Sequence, residues 1–318
     1  MLDIHQLNVF LVAAETLNFT QAAQRLHMTQ PSVSQHIQAL ERHFDEVLFL
    51  RNGRNLELTD AGMALIPLAR DAVNVSIRID ETMASLKGTI HGHLLVGCST
   101  TPGKYVLPQL LARFHRRHAD VRVTCSVTSQ ETALNKLSSG DVHFALSSMP
   151  NETYPDLEFH QFMCDPVLLV TQLEHPWAKR GEIEIGDLTQ ADFILREEAS
   201  GTYQALSEAM SRAGASINDL PTLLTLGNSE AIAMSIQEGL GVGFISELVV
   251  NRFGEGRLAV VKVRGLDVQR IIYMARNTRR PATKAQIAFW EFIHSPENPI
   301  TCTQKIEAET FAASEHSR

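Results

Sequence analysis

Residues 18–59 constrain this chain more than any other stretch: they read NFTQAAQRLHMTQPSVSQHIQALERHFDEVLFLRNGRNLELT. Asn18 stands where an N-cap belongs, ahead of a short helix carrying Ala22, Ala23 and Leu26, with Gln21 at its third position. Leu26-His27-Met28 interrupts the periodicity, and Thr29 offers a second cap. Pro31 then falls in the first turn of the next helix, where its missing N–H costs nothing. Val33, Ile37, Leu40 and Phe44 follow at spacings of four, three and four, the inward stripe of an amphipathic helix. Helix, tight turn and second helix make a helix-turn-helix. The outward face of its second helix carries Ser32, Ser34, Gln35 and Gln38.

Hydroxyls and amides of this kind suit phosphates and base edges in a major groove, glutamine suiting adenine in particular. A merely solvated helix face can carry the same residues, so the next segment matters. Leu48-Phe49-Leu50-Arg51-Asn52-Gly53-Arg54-Asn55-Leu56-Glu57-Leu58 alternates around an Asn-Gly turn, with Arg51 and Arg54 at the tip. A two-stranded wing beside a helix-turn-helix sets such arginines against flanking phosphates or the minor groove.

Over QLNVFLVAAETLNFTQAAQRLHMTQPSVSQHIQALE, then LF, Arg51, the NGR tip and Leu58-Thr59-Asp60-Ala61-Gly62, the chain resembles the LysR-type transcriptional regulators. The resemblance implies that Gln30, Pro31, Ser34, Gln35 and Arg54 approach double-stranded promoter DNA. Ser32, Gln38 and Arg51 join them from the residue pattern itself. Two positions depart from the family: many relatives have arginine in place of Gln35, and glycine is usual in place of Asp45. Asp accepts the left-handed conformation better than most residues, though less well than glycine.

Charge runs the other way. The net charge is −8, and residues 1–60 hold four arginines and no lysine against seven carboxylates. A DNA-binding domain ordinarily shows a basic patch. Its absence implies few phosphate contacts per subunit and reliance on a dimer or larger assembly. His5, His27, His36 and His43 read as surface or packing residues.

Before this stretch, Ile4, Leu7, Phe10, Leu11 and Ala14 mark a first helix. After it, Thr59 caps a long helix to residue 87, about 42 Å at ~28 residues. Leu65, Leu68, Ala72, Val75, Ile79 and Leu86 form a heptad seam on it, with Thr82 its one polar lapse. That seam points to dimerisation through residues 60–87, and the family resemblance implies the same, with dimers pairing into a homotetramer. Residues 88–92, GTIHG, read as a hinge. Strands are then expected at 94–98, 121–128, 142–146, 167–170, 193–195, 223–226, 242–245 and 271–275. Helices fall at 104–118, 131–138, 203–213, 230–238 and 285–293. The alternation predicts a mainly parallel sheet. The whole is thus α/β: a winged helix-turn-helix (1–59), a linker helix (60–87), a hinge (88–92) and two α/β lobes (93–295), then a polar tail (296–318) expected to be disordered. Two lobes match the periplasmic-binding-protein-like effector domain of the resembled family.

In such sheets ligands gather at the carboxyl ends of strands. Those ends carry Ser99-Thr100-Thr101, Ser129-Gln130, Ser200-Gly201-Thr202 and Asn228-Ser229, each ahead of an expected helix. Helix N-termini with hydroxyls beside them make anion sites, although Ser, Thr and Asn are also helix caps everywhere. Four clusters converging on one cleft favour a small anionic effector bound by Ser99, Thr100, Thr101, Ser129, Gln130, Ser200, Gly201, Thr202 and Asn228. Lys104 and Arg196 are candidates to supply full charge. CSTTPGKYVLP and REEASGT resemble the effector loops of the regulators of carbon fixation and sulfur assimilation, which implies phosphorylated or other small anions. Ala199 stands where glycine is frequent.

Other signals are weaker. Gly239-Leu240-Gly241-Val242-Gly243 lies between a helix and the following strand, the reverse of a dinucleotide fingerprint, and reads as a C-cap with close packing. His115-Arg116-Arg117-His118 is a solvated basic face lacking further metal ligands. Cys98 reads as a core residue rather than a redox sensor, and four scattered cysteines without CxxC argue against disulfides or zinc. No catalytic motif appears. The expectation is therefore a cytoplasmic regulator, not an enzyme, without cofactor, metal or membrane, and with RNA polymerase a candidate partner. An α/β enzyme or a solute-binding module with a structural helical domain is the alternative.

Overall fold

The computed structural model describes residues 1–52, 55–86, 88–148, 153–254, 256–295, 298 and 300. It divides into two compact units, Met1–His91 and Gly92–Arg318. The first opens with α1 (Ile4–Thr16), α2 (Phe19–Arg25) and α3 (Gln30–Phe44). Asn18 Oδ1 accepts from the N–H groups of Thr20 and Gln21, and Thr29 Oγ1 accepts from Ser32, as the cap pattern predicts. His27 (φ 53) turns the chain between α2 and α3, and Asp45 (φ 54) ends α3. Asp45 thus takes the left-handed conformation itself, without a glycine.

Val33, Ile37 and Leu40 are buried with Leu7, Phe10 and Ala13. The face expected of α1 needs a correction: Ile4 is exposed, while Val9 and Ala13 are in the core. Strands β1 (Phe49–Asn52) and β2 (Asn55–Leu58) pair antiparallel, from Phe49↔Leu58 to Asn52↔Asn55. Asn52 pairs with Asn55, and the expected Asn-Gly turn falls on residues 53–54, which lie outside the described residues. Helix α4 (Asp60–Ser85) follows, 26 residues long. Contacts of α1 with both α3 and α4 explain its wide buried face. Thr59 Oγ1 accepts from Gly62 N–H at 3.0 Å and donates to the Val47 carbonyl at 2.6 Å. Only glycine fits at 62, because a Cβ there would lie 2.4 Å from the Leu48 carbonyl oxygen. Along α4, Leu65 and Ala72 pack on the core, whereas Leu68, Val75, Ile79 and the C-capping Leu86 are exposed.

The second unit runs β3 (Gly92–Cys98), α5 (Leu107–Arg117), β4 (Val121–Val127), α6 (Gln130–Ser139), β5 (Phe144–Ser147), β6 (Leu157–Thr171), α7 (Pro176–Arg180), β7 (Glu182–Glu184), β8 (Phe193–Arg196), α8 (Gly201–Arg212), β9 (Thr222–Leu226), α9 (Ser229–Gln237), β10 (Gly243–Ser246), α10 (Glu247–Val249), β11 (Ala259–Arg264), β12 (Gln269–Asn277) and α11 (Lys284–His294). A wide turn of π type over Pro102–Val106 leads into α5. Strand order is β4-β3-β5-β12-β6-β11-β7, with β10 also on β6 and β8 paired to β9.

The sheet is mixed, not mainly parallel. β3 is parallel to β4 and β5, but β12 is antiparallel to β5 and β6, and β6 to β10 and β11. The cause is β6, whose first part pairs with β12 and whose last part pairs with β10 and β11. It and β12 are the strands that cross between two lobes. One lobe's core includes Ala133, Leu134, Leu137 and Ala145, the other's Phe193, Leu206, Phe244 and Val261. Of the tail expected at 296–318, nearly all lies outside the described residues.

Candidate functional site

The first unit offers one polar face. Thr29 and Pro31 fix where α3 begins, and its apolar stripe fixes how it is rotated on the core. Pro31, Gln35 and Gln38 are exposed; Gln30, Ser32 and Ser34 are partly so. Pro31, Gln35 and Gln38 stand on the side opposite Val33, Ile37 and Leu40, with Ser32 and Ser34 on its flanks, whereas Gln30 starts the helix in line with Val33 and Ile37. Glu41, overlooked in the sequence, ties the wing to this helix: its Oε1 accepts from the N–H groups of Leu48 (3.0 Å) and Phe49 (3.4 Å). Arg54 lies outside the described residues, as does the side chain of Arg51.

In the second unit a cavity of about 250 Å3 gathers the strand ends. Ser99, Thr100, Thr101, Ser129, Gln130, Ser200 and Gly201 line it, with Thr128, Arg196, Glu197, Ala199, Gly227 and Arg270. Ser129 and Ser200 are at the same time caps, accepting from Thr132 and Tyr203 N–H. Gln130 spans the two lobes: its amide nitrogen donates to the Ala199 carbonyl (3.1 Å) and to Gln204 Oε1 (3.2 Å), while its oxygen accepts from Ser148 Oγ (2.8 Å). Gly201 permits this contact, since a Cβ on it would sit 1.7 Å from Ser148 Oγ. Two predicted residues stand behind the lining. Thr202 is buried and accepts from Arg270 Nη1 at 2.9 Å. Asn228 caps α9, accepting from the Glu230 and Ala231 N–H groups.

Two guanidinium groups reach the cavity, both withdrawn from solvent and both paired. Arg270 is bonded to Asp165, whose two carboxylate oxygens also lie 2.7 and 2.8 Å from Ser246 Oγ. Its Nε is buried without a hydrogen-bond partner. Arg196 donates from Nε (2.8 Å) and Nη2 (2.7 Å) to the two oxygens of Glu197, and from Nη1 to Ser229 Oγ (3.1 Å). Burial alone would raise the Glu197 pKa, but the Arg196 bond, a bond from the residue's own backbone N–H and the Arg196 charge together outweigh it and hold the carboxyl below its ordinary value. Lys104 does not line the cavity; its Nζ pairs with Glu230 at 2.8 Å. Tyr105 also donates to Glu230, and burial followed by that bond pushes its phenol up to about 12. Cys98 is fully buried, and burial, then Cys125, pushes its thiol up to about 12, which fits the core reading. Among the described residues no group of three or more His, Cys, Asp and Glu could hold a metal, and no helix is long and apolar enough to cross a membrane.

Arg270 and Glu197 were missed by the sequence reading. Arg270 and Asp165 stand among apolar residues, in VQRIIYMA and FMCDPVLLV, which hints that each is buried but not that they pair, and Glu197 carried no such signal.

A helix-turn-helix with a wing, joined in one chain to a two-lobed α/β domain with a polar cleft, defines a class: DNA-binding transcriptional regulators that carry an effector domain. Residues 4–63 match the bacterial regulatory helix-turn-helix protein, lysR family, and residues 87–295 match the LysR substrate binding domain. The chain belongs to the LysR family, whose members are regulators rather than enzymes. It is 30% identical over 302 residues to the RuBisCO operon transcriptional regulator of Allochromatium vinosum, covering 94% of this chain and 98% of that one. The regulatory domain of CcmR from Synechocystis PCC6803, solved in complex with 2-PG, is 25% identical with a TM-score of 0.58, over 64% of this chain and 96% of that one. Full-length CbnR, solved with its target DNA, is 21% identical with a TM-score of 0.63, over 92% of this chain and 99% of that one.

Proposed function

We propose that this regulator reads a partly palindromic promoter site with α3 and responds to a small anionic effector in the cleft. The observation that carries the reading is the cavity itself: helix N-termini with their hydroxyls, and two arginines, converge on a space the size of a small metabolite. The 2-PG complex of CcmR supports it from a relative. Gln30, Pro31, Ser32, Ser34, Gln35 and Gln38 face the groove, and Arg51 and Arg54 reach flanking phosphates. Leu68, Val75, Ile79 and Leu86, exposed at heptad spacing, join two copies through α4. Dimers pair into a tetramer, in the cytoplasm, with RNA polymerase as a further partner. The effector acts by binding one arrangement of the DNA heads more tightly than another, a population shift.

Two measurements test this. In footprinting, Gln35→Ala relaxes base preference by about 1–3 kcal/mol at one position, whereas Arg54→Ala weakens all sequences and lowers the salt slope by about one. Variants indistinguishable from wild type would refute the reading surface. Calorimetry with sulfate, phosphorylated acids, dicarboxylates and neutral sugars tests the cleft; binding confined to neutral sugars overturns the anion.

A further inference from the structure

The two arginines of the cleft hold different kinds of partner. Asp165 has no exposed side-chain surface and is held additionally by Ser246, so it has no solvent to move into on leaving Arg270. Glu197 is 42% exposed and is held by Arg196 alone among the described side chains. It fills the Nε–Nη2 fork, the edge of a guanidinium that takes a carboxylate or phosphate with two parallel bonds. An acid entering the cavity meets a neutral pair there and is repelled by the nearer carboxylate, unless that carboxylate moves.

We propose that Glu197 is a built-in surrogate for the effector's acidic group, which displaces it from Arg196 and sends it into solvent. This rests on the cleft being the effector site. The exchange keeps the buried guanidinium paired throughout, so the site never holds an uncompensated charge. It also defines the chemical class accepted. A group replacing Glu197 must offer two oxygens at fork spacing, as carboxylate, phosphate and sulfate do. A halide replaces only one of the two bonds and is rejected.

The test is calorimetry on the full-length chain at constant ionic strength, with inorganic phosphate, sulfate and chloride as probes. Glu197→Gln keeps the shape and removes the charge. It is expected to bind phosphate or sulfate at least tenfold more tightly than wild type, with chloride unchanged, and Arg196→Gln on top of it abolishes the gain. Equal oxyanion affinity in wild type and Glu197→Gln overturns the surrogate while leaving the anion cleft standing. A gain that survives Arg196→Gln also overturns it. No oxyanion binding by either protein defeats both the surrogate and the anion reading. A second readout needs no variant: carbon-13 titration of wild type should show the Glu197 carboxyl, held low by Arg196, rising toward its ordinary value on saturation with phosphate. A midpoint that stays low means the pair was never broken.

Discussion

α3 and the cleft, the surfaces proposed for DNA and for the effector, both gather polar side chains, yet they prepare them in opposite ways. On α3 the amides of Gln35 and Gln38 stand in solvent, and the fold rests on the other side of the helix, on Val33, Ile37 and Leu40. In the cleft the charged groups are withdrawn and already bonded, Arg270 to Asp165 and Thr202, Arg196 to Glu197 and Ser229. A reading face of the first kind can change its specificity with little effect on folding. The cleft is not free in this way at Arg270, because its pairing with Asp165 also joins the crossing strands β12 and β6.

The largest expected effect therefore lies in the cleft. Asp165→Ala leaves Arg270 buried without a counter-charge and should destabilise the second unit by about 3–5 kcal/mol. Both tryptophans, Trp177 and Trp290, belong to that unit. Urea unfolding followed by tryptophan fluorescence thus reports on it selectively. A cost below about 1 kcal/mol would break the comparison, since the pair would then be dispensable to the fold.

What the sequence disclosed divides along the same line. Asn18, Thr29, Ser129, Ser200 and Asn228 each cap a helix through an N–H two or three residues away, so both the reading helix and most of the cleft lining were legible locally. The Arg270–Asp165 pair was not. Those residues are register partners on β12 and β6, and that antiparallel pairing is a product of the whole lobe arrangement. β6 itself was half-hidden, with Pro166 in its middle and polar residues along its first part. β11 carried a clear signal that went unread, Val261 and Val263 inward against exposed Val260, Lys262 and Arg264. Glu197 looked like an ordinary loop charge because only the folded cleft turns it onto its neighbour.

A smaller effect, still in the second unit, comes from pH. The His143 backbone N–H donates to the Leu95 carbonyl (2.8 Å), and its ring Nδ1 accepts from the Leu95 N–H (3.2 Å), an acceptor role that requires a neutral ring. Burial, and then His93, push it down to about 4. Between pH 6.5 and 4 the unfolded chain takes up a proton that the folded one refuses. Stability is therefore full above pH 6.5 and falls as pH drops toward 4, by up to ~3 kcal/mol from this group. Urea titrations across that window should show a shallower decline for His143→Asn than for wild type. Parallel declines would mean the ring is not held neutral.

The smallest effect sharpens the contrast most. Gln35→Ala and Gln38→Ala remove exposed amides from a helix whose packing lies elsewhere, and alanine is the better helix former. Each should change the stability of the first unit by no more than about 0.5 kcal/mol, measured by hydrogen exchange of the buried Val33, Ile37 and Leu40 amides. A loss above 1 kcal/mol would show that these glutamines are committed to their own fold. The reading face would then be prepared like the cleft, and a change of operator preference could not come without a change of stability.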